Sequence, residues 1–169
     1  MHFEFSHDFE IPLDALELAV LSPNLIEKLG SRLPNIEHVS QKEHALVDGV
    51  LERVWSYQAN VKIPAFAKSY VTREMCAWDE HTTYRLKTHS SSWSIVPNVK
   101  PEWRKYFVAA GTYALRSESG GTTKRVVTGD LELRVARGMK QIGERMIVNE
   151  IKKTFEAEAV VLRDLATLA

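Results

Sequence analysis

The sequence has one cysteine, no net charge and no long apolar run, and each absence excludes a class of protein. A lone Cys76 excludes an internal disulfide and any zinc site built on several thiolates. The 22 Lys and Arg residues balance 22 Asp and Glu residues, so the chain lacks the basic excess with which nucleic-acid binders neutralise phosphate. No uninterrupted apolar stretch approaches the roughly 18 residues of a membrane span, and the acidic N-terminal segment lacks the apolar region of a secretory signal. We therefore expect a cytoplasmic protein that does not bind nucleic acid.

The composition is that of one ordinary globular domain. Hydrophobic residues make up 44% and charged residues 26% of the 169 residues, a balance that supports a packed core and argues against disorder. The length suits a single core, and the chain contains no repeat, low-complexity tract or Gly/Ser-rich linker. We therefore predict one domain over residues 1–169.

The N-terminal part predicts a strand followed by two short helices. Residues 2–10 alternate between largely aromatic and polar side chains, which is typical of a half-buried strand. The apolar spacing then changes to three and four over residues 12–21, which indicates a helix. Ser22-Pro23 is a typical start for a second helix that ends at Gly30.

After Pro34 the pattern predicts antiparallel strands for roughly a hundred residues. Asp48-Gly49 and Ser119-Gly120-Gly121 are typical hairpin turns, and we place a further turn at Asp79-Glu80. The predicted strands are 36–46, 51–59, 70–78, 81–89, a short one around Trp93 and Ile95, 102–117 and 122–136.

The last part of the chain predicts one long amphipathic helix. From Arg137 to the chain end, apolar residues recur at steps of three and four. A long antiparallel sheet with one apolar face must cover that face, and this helix is the only element large enough. We therefore predict an α+β fold in which a curved antiparallel sheet of about seven strands wraps around the long C-terminal helix, with two short helices after strand 1.

This order of elements resembles the START-like (SRPBCC) superfamily, with its helix-grip fold, over essentially the whole chain. The aromatic first strand with its paired helices carries the resemblance, together with Gly121-Thr122 and the strand 127–133 that leads into the long helix. More narrowly, the tract from Gly129 to Leu165 is similar to a bacterial START-like family of unassigned function, although residues 135–138 replace that family's frequent apolar Pro-Leu corner. The resemblance implies a cavity between sheet and helix, but no reaction. Superfamily members include lipid and sterol carriers, polyketide cyclases and plant hormone-binding proteins.

Strand alternation and helix spacing indicate which side chains would face that cavity. The apolar register of the last hairpin and of the third strand points toward the helix, and the small residues Ala109 and Gly111 would leave room for a ligand. The same side chains could simply fill the core, and the pattern leaves both interpretations open. The candidate ligand-binding residues are Arg53, Trp55, Tyr57, Trp103, Phe107, Tyr113, Leu131, Leu133, Met139, Ile142 and Met146.

Arg53 and Arg73 interrupt faces that otherwise look apolar. Burying an unpaired charge is costly, so we favour a surface position for both, with Glu52 or Glu74 as partners. The alternative is an inward Arg53 that binds a carboxylate or phosphate of a ligand.

The connection after the third strand has unusual apolar content. Ile63 and Phe66 lie in it between Lys62 and Lys68, which suits a gate or a transient contact with an anionic membrane surface. A loop folded back over the sheet explains the same residues equally well.

The sequence contains no convincing catalytic or metal-binding set, and we expect no cofactor. His81 and His89 are too far apart in sequence for an adjacent metal pair. Cys76, five residues before His81, is better explained as an inert thiol than as a nucleophile.

Three functions fit these observations. The leading hypothesis is a binding or carrier protein for a hydrophobic small molecule or lipid. The alternative is a polyketide cyclase- or hydratase-like enzyme that uses the same cavity, and the second alternative is a protein-interaction module with a filled core. Two or more titratable groups that converge on the cavity with shifted pKa values would favour the enzyme.

Overall fold

The structure, a computed structural model, describes residues 1–60, 65, 72–135 and 137–168. These residues form an α+β fold, as predicted, with one curved antiparallel sheet and one long helix. The elements are β1 (His2–Phe9), α1 (Leu13–Leu21), α2 (Leu25–Gly30), β2 (Ile36–Val47), β3 (Val50–Ala59), β4 (Ala77–Arg85), β5 (Ser90–Pro97), α3 (Pro101–Arg104), β6 (Phe107–Glu118), β7 (Thr122–Leu133) and α4 (Arg137–Ala166).

The sheet of the described residues has seven strands in the order β1-β7-β6-β5-β4-β3-β2. Every neighbouring pair is antiparallel, and only β1 pairs with a strand distant in sequence, β7. Because successive side chains of a strand point to opposite faces, one face of this sheet carries nearly all the buried side chains. We call it the concave face.

Helix α4 covers the β1 and β7 side of the concave face and also contacts α1 and α2. Its inward residues include Ile151, Phe155, Ala159 and Leu162, which belong to the same buried core as the strands. Their steps of three and four place them on one side of the helix. Within the described residues, no helix combines the length and apolar character that crossing a membrane requires.

The turn predicted at Asp79-Glu80 does not exist, because β4 runs straight through both residues. Asp79 faces the convex side, where it bonds Lys42 Nζ at 2.7 Å and accepts a hydrogen bond from Ser56 Oγ at 2.7 Å. Glu80 faces the concave side. Two adjacent acids that look like a turn in sequence are therefore strand residues that point in opposite directions.

The predicted inward position of Trp103 is wrong. Pro101 occupies the first turn of α3, so Trp103 lies in a short helix and its side chain is 45% exposed. Strand β6 begins only at Phe107, which pairs with Leu133, the last residue of β7.

The start of α4 also differs from the prediction. Met139, Ile142 and Met146 are 72%, 64% and 66% exposed, and helical geometry places them on the side opposite to Ile151 and Phe155. At this end the inward position is taken by Glu144, which is buried and accepts a hydrogen bond from the Leu133 backbone N–H at 3.1 Å. Because α4 has apolar residues on both sides at this end, the sequence alone does not show which side packs against the sheet.

An aromatic ring packs directly against two glycines in the middle of the sheet. Gly111 and Gly129 pair across β6 and β7, and a Cβ at either would lie within 2.7 Å of the Trp93 indole. The room expected above Gly111 is therefore occupied by Trp93.

We expect Gly111→Ala to destabilise the fold by about 2 kcal/mol, because its methyl group would meet both the Trp93 ring and the Thr128 carbonyl oxygen. Gly138→Ala in α4 is the matched control. No atom lies within 4 Å of the added Cβ there, and alanine stabilises a helix by about 0.5 kcal/mol or more relative to glycine. Urea unfolding measures both changes, and equal stabilities for the two variants would contradict the close packing of Trp93.

Candidate functional site

A buried ion network ties α4 to the concave face. Arg125 of β7 is fully buried and donates to Glu158 Oε2 of α4 at 2.6 Å and to the Phe155 carbonyl oxygen at 2.7 Å. The second carboxylate oxygen of Glu158 lies 3.6 Å from Arg53 Nη2 of β3. One carboxylate therefore serves two guanidinium groups that come from nearly opposite edges of the sheet.

His7 of β1 completes this network as a neutral acceptor. Its Nδ1 lies 3.3 Å from Arg125 Nη2. Burial, and secondarily the charge of Arg125, lower the pKa of His7 to about 4. The ring is therefore uncharged near neutral pH and adds no third positive charge.

The preference for a surface position of Arg53 is wrong. Arg53 is 2% exposed, its guanidinium stacks 3.5 Å from the centre of the Trp55 ring, and Nη1 donates to the Val20 carbonyl oxygen at 3.4 Å. Arg73 is exposed as preferred, although it pairs with Glu37 rather than with Glu74. The burial of Arg125 could have been read from the sequence, because Arg125 lies two residues before the inward-facing Val127 on the same strand and so points to the same face.

A second polar group on the concave face centres on Glu80. Tyr57 Oη donates to Glu80 Oε2 at 3.4 Å, and Thr82 Oγ1 donates to Oε1 at 3.3 Å. Desolvation raises the pKa of Glu80 to about 7 despite the opposing charge of Arg53, and Glu158 adds to the increase. The carboxyl is therefore partly protonated near neutral pH.

Tyr57 has a raised pKa as well. Burial is the main cause, and the negative charges of Glu80 and Glu158 add to it. Tyr57 thus remains a neutral hydroxyl, which can donate one hydrogen bond and accept others.

The surroundings of Glu80 are apolar and incompletely covered. In the sheet register Glu80 lies between Trp55 and Ile95, and Phe107 pairs with Leu133 at the same end. We call this region the open end, because its side chains are half-buried while the remaining concave face is nearly all buried. The half-buried residues of the open end are Trp78, Glu80, Ile95, Phe107 and Leu133 on the sheet, with Ile147 and Val148 on α4.

Two buried donors next to the open end have no acceptor. Trp55 Nε1 and Arg53 Nε are inaccessible to water and make no hydrogen bond. Trp55 pairs directly with Glu80 across β3 and β4. A buried donor without an acceptor costs about 1–3 kcal/mol, so this region favours an added acceptor.

The predicted site residues that the structure describes separate into three groups. Arg53, Trp55, Tyr57, Tyr113 and Leu131 are buried on the concave face, and Phe107 and Leu133 are half-buried at the open end. Trp103, Met139, Ile142 and Met146 are exposed. Ile63 and Phe66 lie outside the described residues.

Sequence analysis missed Glu80, because Asp79-Glu80 was assigned to a turn. The available signal was the alternation of Trp78, Glu80, Thr82 and Tyr84, all of which face the core side. An Asp-Glu pair also lacks the glycine, asparagine or proline that tight hairpin turns favour.

Other candidate chemistry finds little support in the described ranges. No three His, Cys, Asp or Glu side chains there come together as metal ligands would. Burial raises the pKa of the Cys76 thiol, which opposes nucleophile activation. A surface groove of about 410 Å³ between α2 and β2, lined by Ile26, Gly30 and Val39 among others, is open to solvent.

The fold is similar to that of solved structures over almost its whole length. The Zhui aromatase/cyclase from Streptomyces sp. R1128 has a TM-score of 0.64 at 14% identity, with 99% of this chain and 93% of that chain covered. Norcoclaurine synthase from Thalictrum flavum has a TM-score of 0.63 at 10% identity, covering 99% and 86%. TTHA0849 from Thermus thermophilus has a TM-score of 0.62 at 15% identity, covering 99% and 98%.

The chain therefore has the START-like (SRPBCC) helix-grip fold, as predicted. At these identities the likeness concerns the fold alone. No family model and no curated protein sequence matches the chain, and its narrower resemblance to a bacterial family of unassigned function stays a prediction.

We expect Glu158→Gln to destabilise the protein by about 3 kcal/mol or more, because the amide leaves two buried guanidinium groups without a counter-charge. Glu156→Gln, on the exposed side of α4, should change stability by less than about 0.5 kcal/mol. Chemical unfolding of both variants checks this, and a neutral Glu158→Gln would show that the network is dispensable.

The raised pKa of Glu80 predicts a pH-dependent stability. The ordinary carboxyl pKa of 4.5 rises to about 7 in the folded protein, so this group stabilises the fold fully below about pH 4.5 and loses that contribution as the pH rises through about 7. Glu80→Gln lacks this loss. Its thermal midpoint relative to the wild type should therefore increase from about pH 5 to about pH 8.

The exposed Glu43 of β2 supplies the control for this measurement. Glu43→Gln should keep a constant difference from the wild type across the same range. A constant difference for Glu80→Gln as well would mean that Glu80 ionises like a surface carboxylate.

Proposed function

We propose that the protein binds an apolar small molecule or lipid at the open end, between the concave face and the N-terminal half of α4. The observation that carries this proposal is the cluster of half-buried apolar side chains around Glu80 and Tyr57. Ligand sites are mostly apolar surfaces with a few convergent polar groups, and this region has that composition. Of the residues predicted from sequence, Phe107 and Leu133 belong to the open end, and the buried Trp55 and Tyr57 lie beside it.

The driving force would be the removal of apolar surface from water, worth about 25 cal/mol per Å² before ordering costs. Trp78, Ile95, Phe107 and Leu133 each retain solvent contact that a ligand could remove. The polar groups would then orient the ligand rather than supply most of its affinity.

A cyclase- or hydratase-like enzyme is the second candidate, and Glu80 favours it. A carboxyl with a pKa of about 7 beside a tyrosine hydroxyl can take and give protons near neutral pH. The similar structures include an aromatase/cyclase and a synthase. Organic extraction of the purified protein first identifies any bound compound. The compound is then incubated with the protein and analysed by mass spectrometry before and after incubation. A carrier leaves the compound unchanged, whereas an enzyme converts it.

The predicted cytoplasmic location and the transient membrane contact through Ile63 and Phe66 remain predictions. The protein-interaction module is the third candidate function, and a purified protein whose open end takes up no apolar probe would favour it.

We expect Ile95→Trp to weaken binding of the neutral dye Nile red by at least about tenfold, because the larger side chain fills the open end next to Glu80. Ile142→Trp is the matched control, since Ile142 is 64% exposed on the far side of α4, and its binding should equal that of the wild type. Fluorescence titration measures both affinities. Loss of binding only in Ile142→Trp would move the ligand site to the exposed side of the helix.

A further inference from the structure

The open end holds hydrogen-bond donors in excess of acceptors. Trp55 Nε1 and Arg53 Nε are buried without partners, and the Tyr57 and Thr82 hydroxyls reach Glu80 only at 3.4 and 3.3 Å. These two bonds are longer than the usual distance of about 2.7–2.8 Å between hydroxyl and oxygen. A ligand that supplied only donors would leave Trp55 Nε1 and Arg53 Nε without an acceptor.

The state of Glu80 decides whether it adds another donor. Among the described residues, the charged and titratable groups that face it are Arg53 and Tyr57 of β3 and Glu158 of α4, whereas β5 presents Ile95. Arg53 already shares Glu158 with Arg125, which holds that carboxylate at 2.6 Å. A ligand seated over Glu80 would exclude water and so favour the neutral carboxylic acid, which donates one hydrogen bond.

We propose that the ligand is an apolar molecule with a carbonyl-type oxygen at one end, and that this oxygen accepts hydrogen bonds from protonated Glu80 and from Trp55 Nε1. This inference rests on the proposed function and specifies its ligand class. The pairing of Trp55 with Glu80 across β3 and β4 puts both donors on the same part of the concave face. A cationic ligand is disfavoured there, because Arg53 stacks directly on the Trp55 ring.

Ligand binding is then coupled to a proton. The protonated carboxyl dominates below its pKa of about 7, so the donor is present in acid and lost as the pH rises above that value. A ligand without an oxygen cannot accept the hydrogen bond from Glu80, so its affinity should not depend on this protonation.

Acetylnaphthalene and ethylnaphthalene provide a matched pair of probes, since they have nearly the same shape and only the first has a carbonyl oxygen. Isothermal titration of the wild-type protein at about pH 6 should show a preference of about tenfold for acetylnaphthalene, the worth of one or two net hydrogen bonds. At about pH 8.5 the preference should fall to about threefold or less, because ionised Glu80 no longer donates.

Variants of Glu80 and Trp55 separate the two donors. Glu80→Gln retains an amide donor at every pH, so its preference for acetylnaphthalene should stay constant from about pH 6 to about pH 8.5. Glu80→Met and Trp55→Phe each remove one donor and should lower the preference at about pH 6 by about threefold. The ratio of the two affinities is measured within each variant, which removes any general change in the site.

Two failures are distinguishable. If neither probe binds the wild-type protein, the proposed function is wrong. If both bind with equal affinity at about pH 6, or if the pH dependence persists in Glu80→Gln, the open end still binds apolar molecules but the carbonyl-acceptor proposal is overturned.

Discussion

The structure depends on one buried interaction, the Glu158 carboxylate held between Arg125 and Arg53. Two guanidinium groups and one carboxylate in an apolar core are costly unless each finds partners, and here the partners come from β7, β3 and α4. The Phe155 carbonyl oxygen and neutral His7 take further donors of Arg125. Because these bonds are directional, they fix the position of α4 along the sheet more narrowly than apolar packing alone would.

This fixed position divides the concave face into two unlike parts. Around the ion network, Phe155 of α4 packs edge-on against Phe5, Trp93 and Tyr113 at ring separations of 5.7–6.5 Å. These rings occupy the space that a ligand would need. Trp93 lies over Gly111 and Gly129, so the centre of the sheet is filled as well. Toward the start of α4 the inward residue is Glu144 rather than a large apolar side chain, and the sheet residues opposite remain half-buried. The open end is thus a consequence of where α4 is anchored.

The elements were largely predictable from sequence, and the direction of particular side chains was not. Alternation along β1, β6 and β7 and the spacing in α4 carry the fold, because apolar periodicity reports burial directly. The errors occurred where a polar residue is buried or an apolar one exposed. Arg53 was favoured for the surface on the general cost of buried charge, and its counter-charge, Glu158, is distant in sequence. Met139 and Ile142 were placed inside because an apolar side chain on an exposed helix face gives the same signal as one in the core.

The same limit explains why sequence reasoning missed Glu80, the residue on which the proposed ligand site depends. Burial and the charge of Glu158 raise its pKa, whereas the charge of Arg53 and the hydrogen bond from Tyr57 lower it. None of these three residues is adjacent to Glu80 in sequence. Proteins with this fold include an aromatase/cyclase and a synthase, so the fold itself does not choose between holding a ligand and transforming it. In the proposed site, the few polar groups at the open end would make that choice. A carboxyl that exchanges its proton near neutral pH, set beside buried donors without acceptors, suits recognition of an oxygen on an otherwise apolar molecule, and the same proton transfer is the minimum from which catalysis could develop.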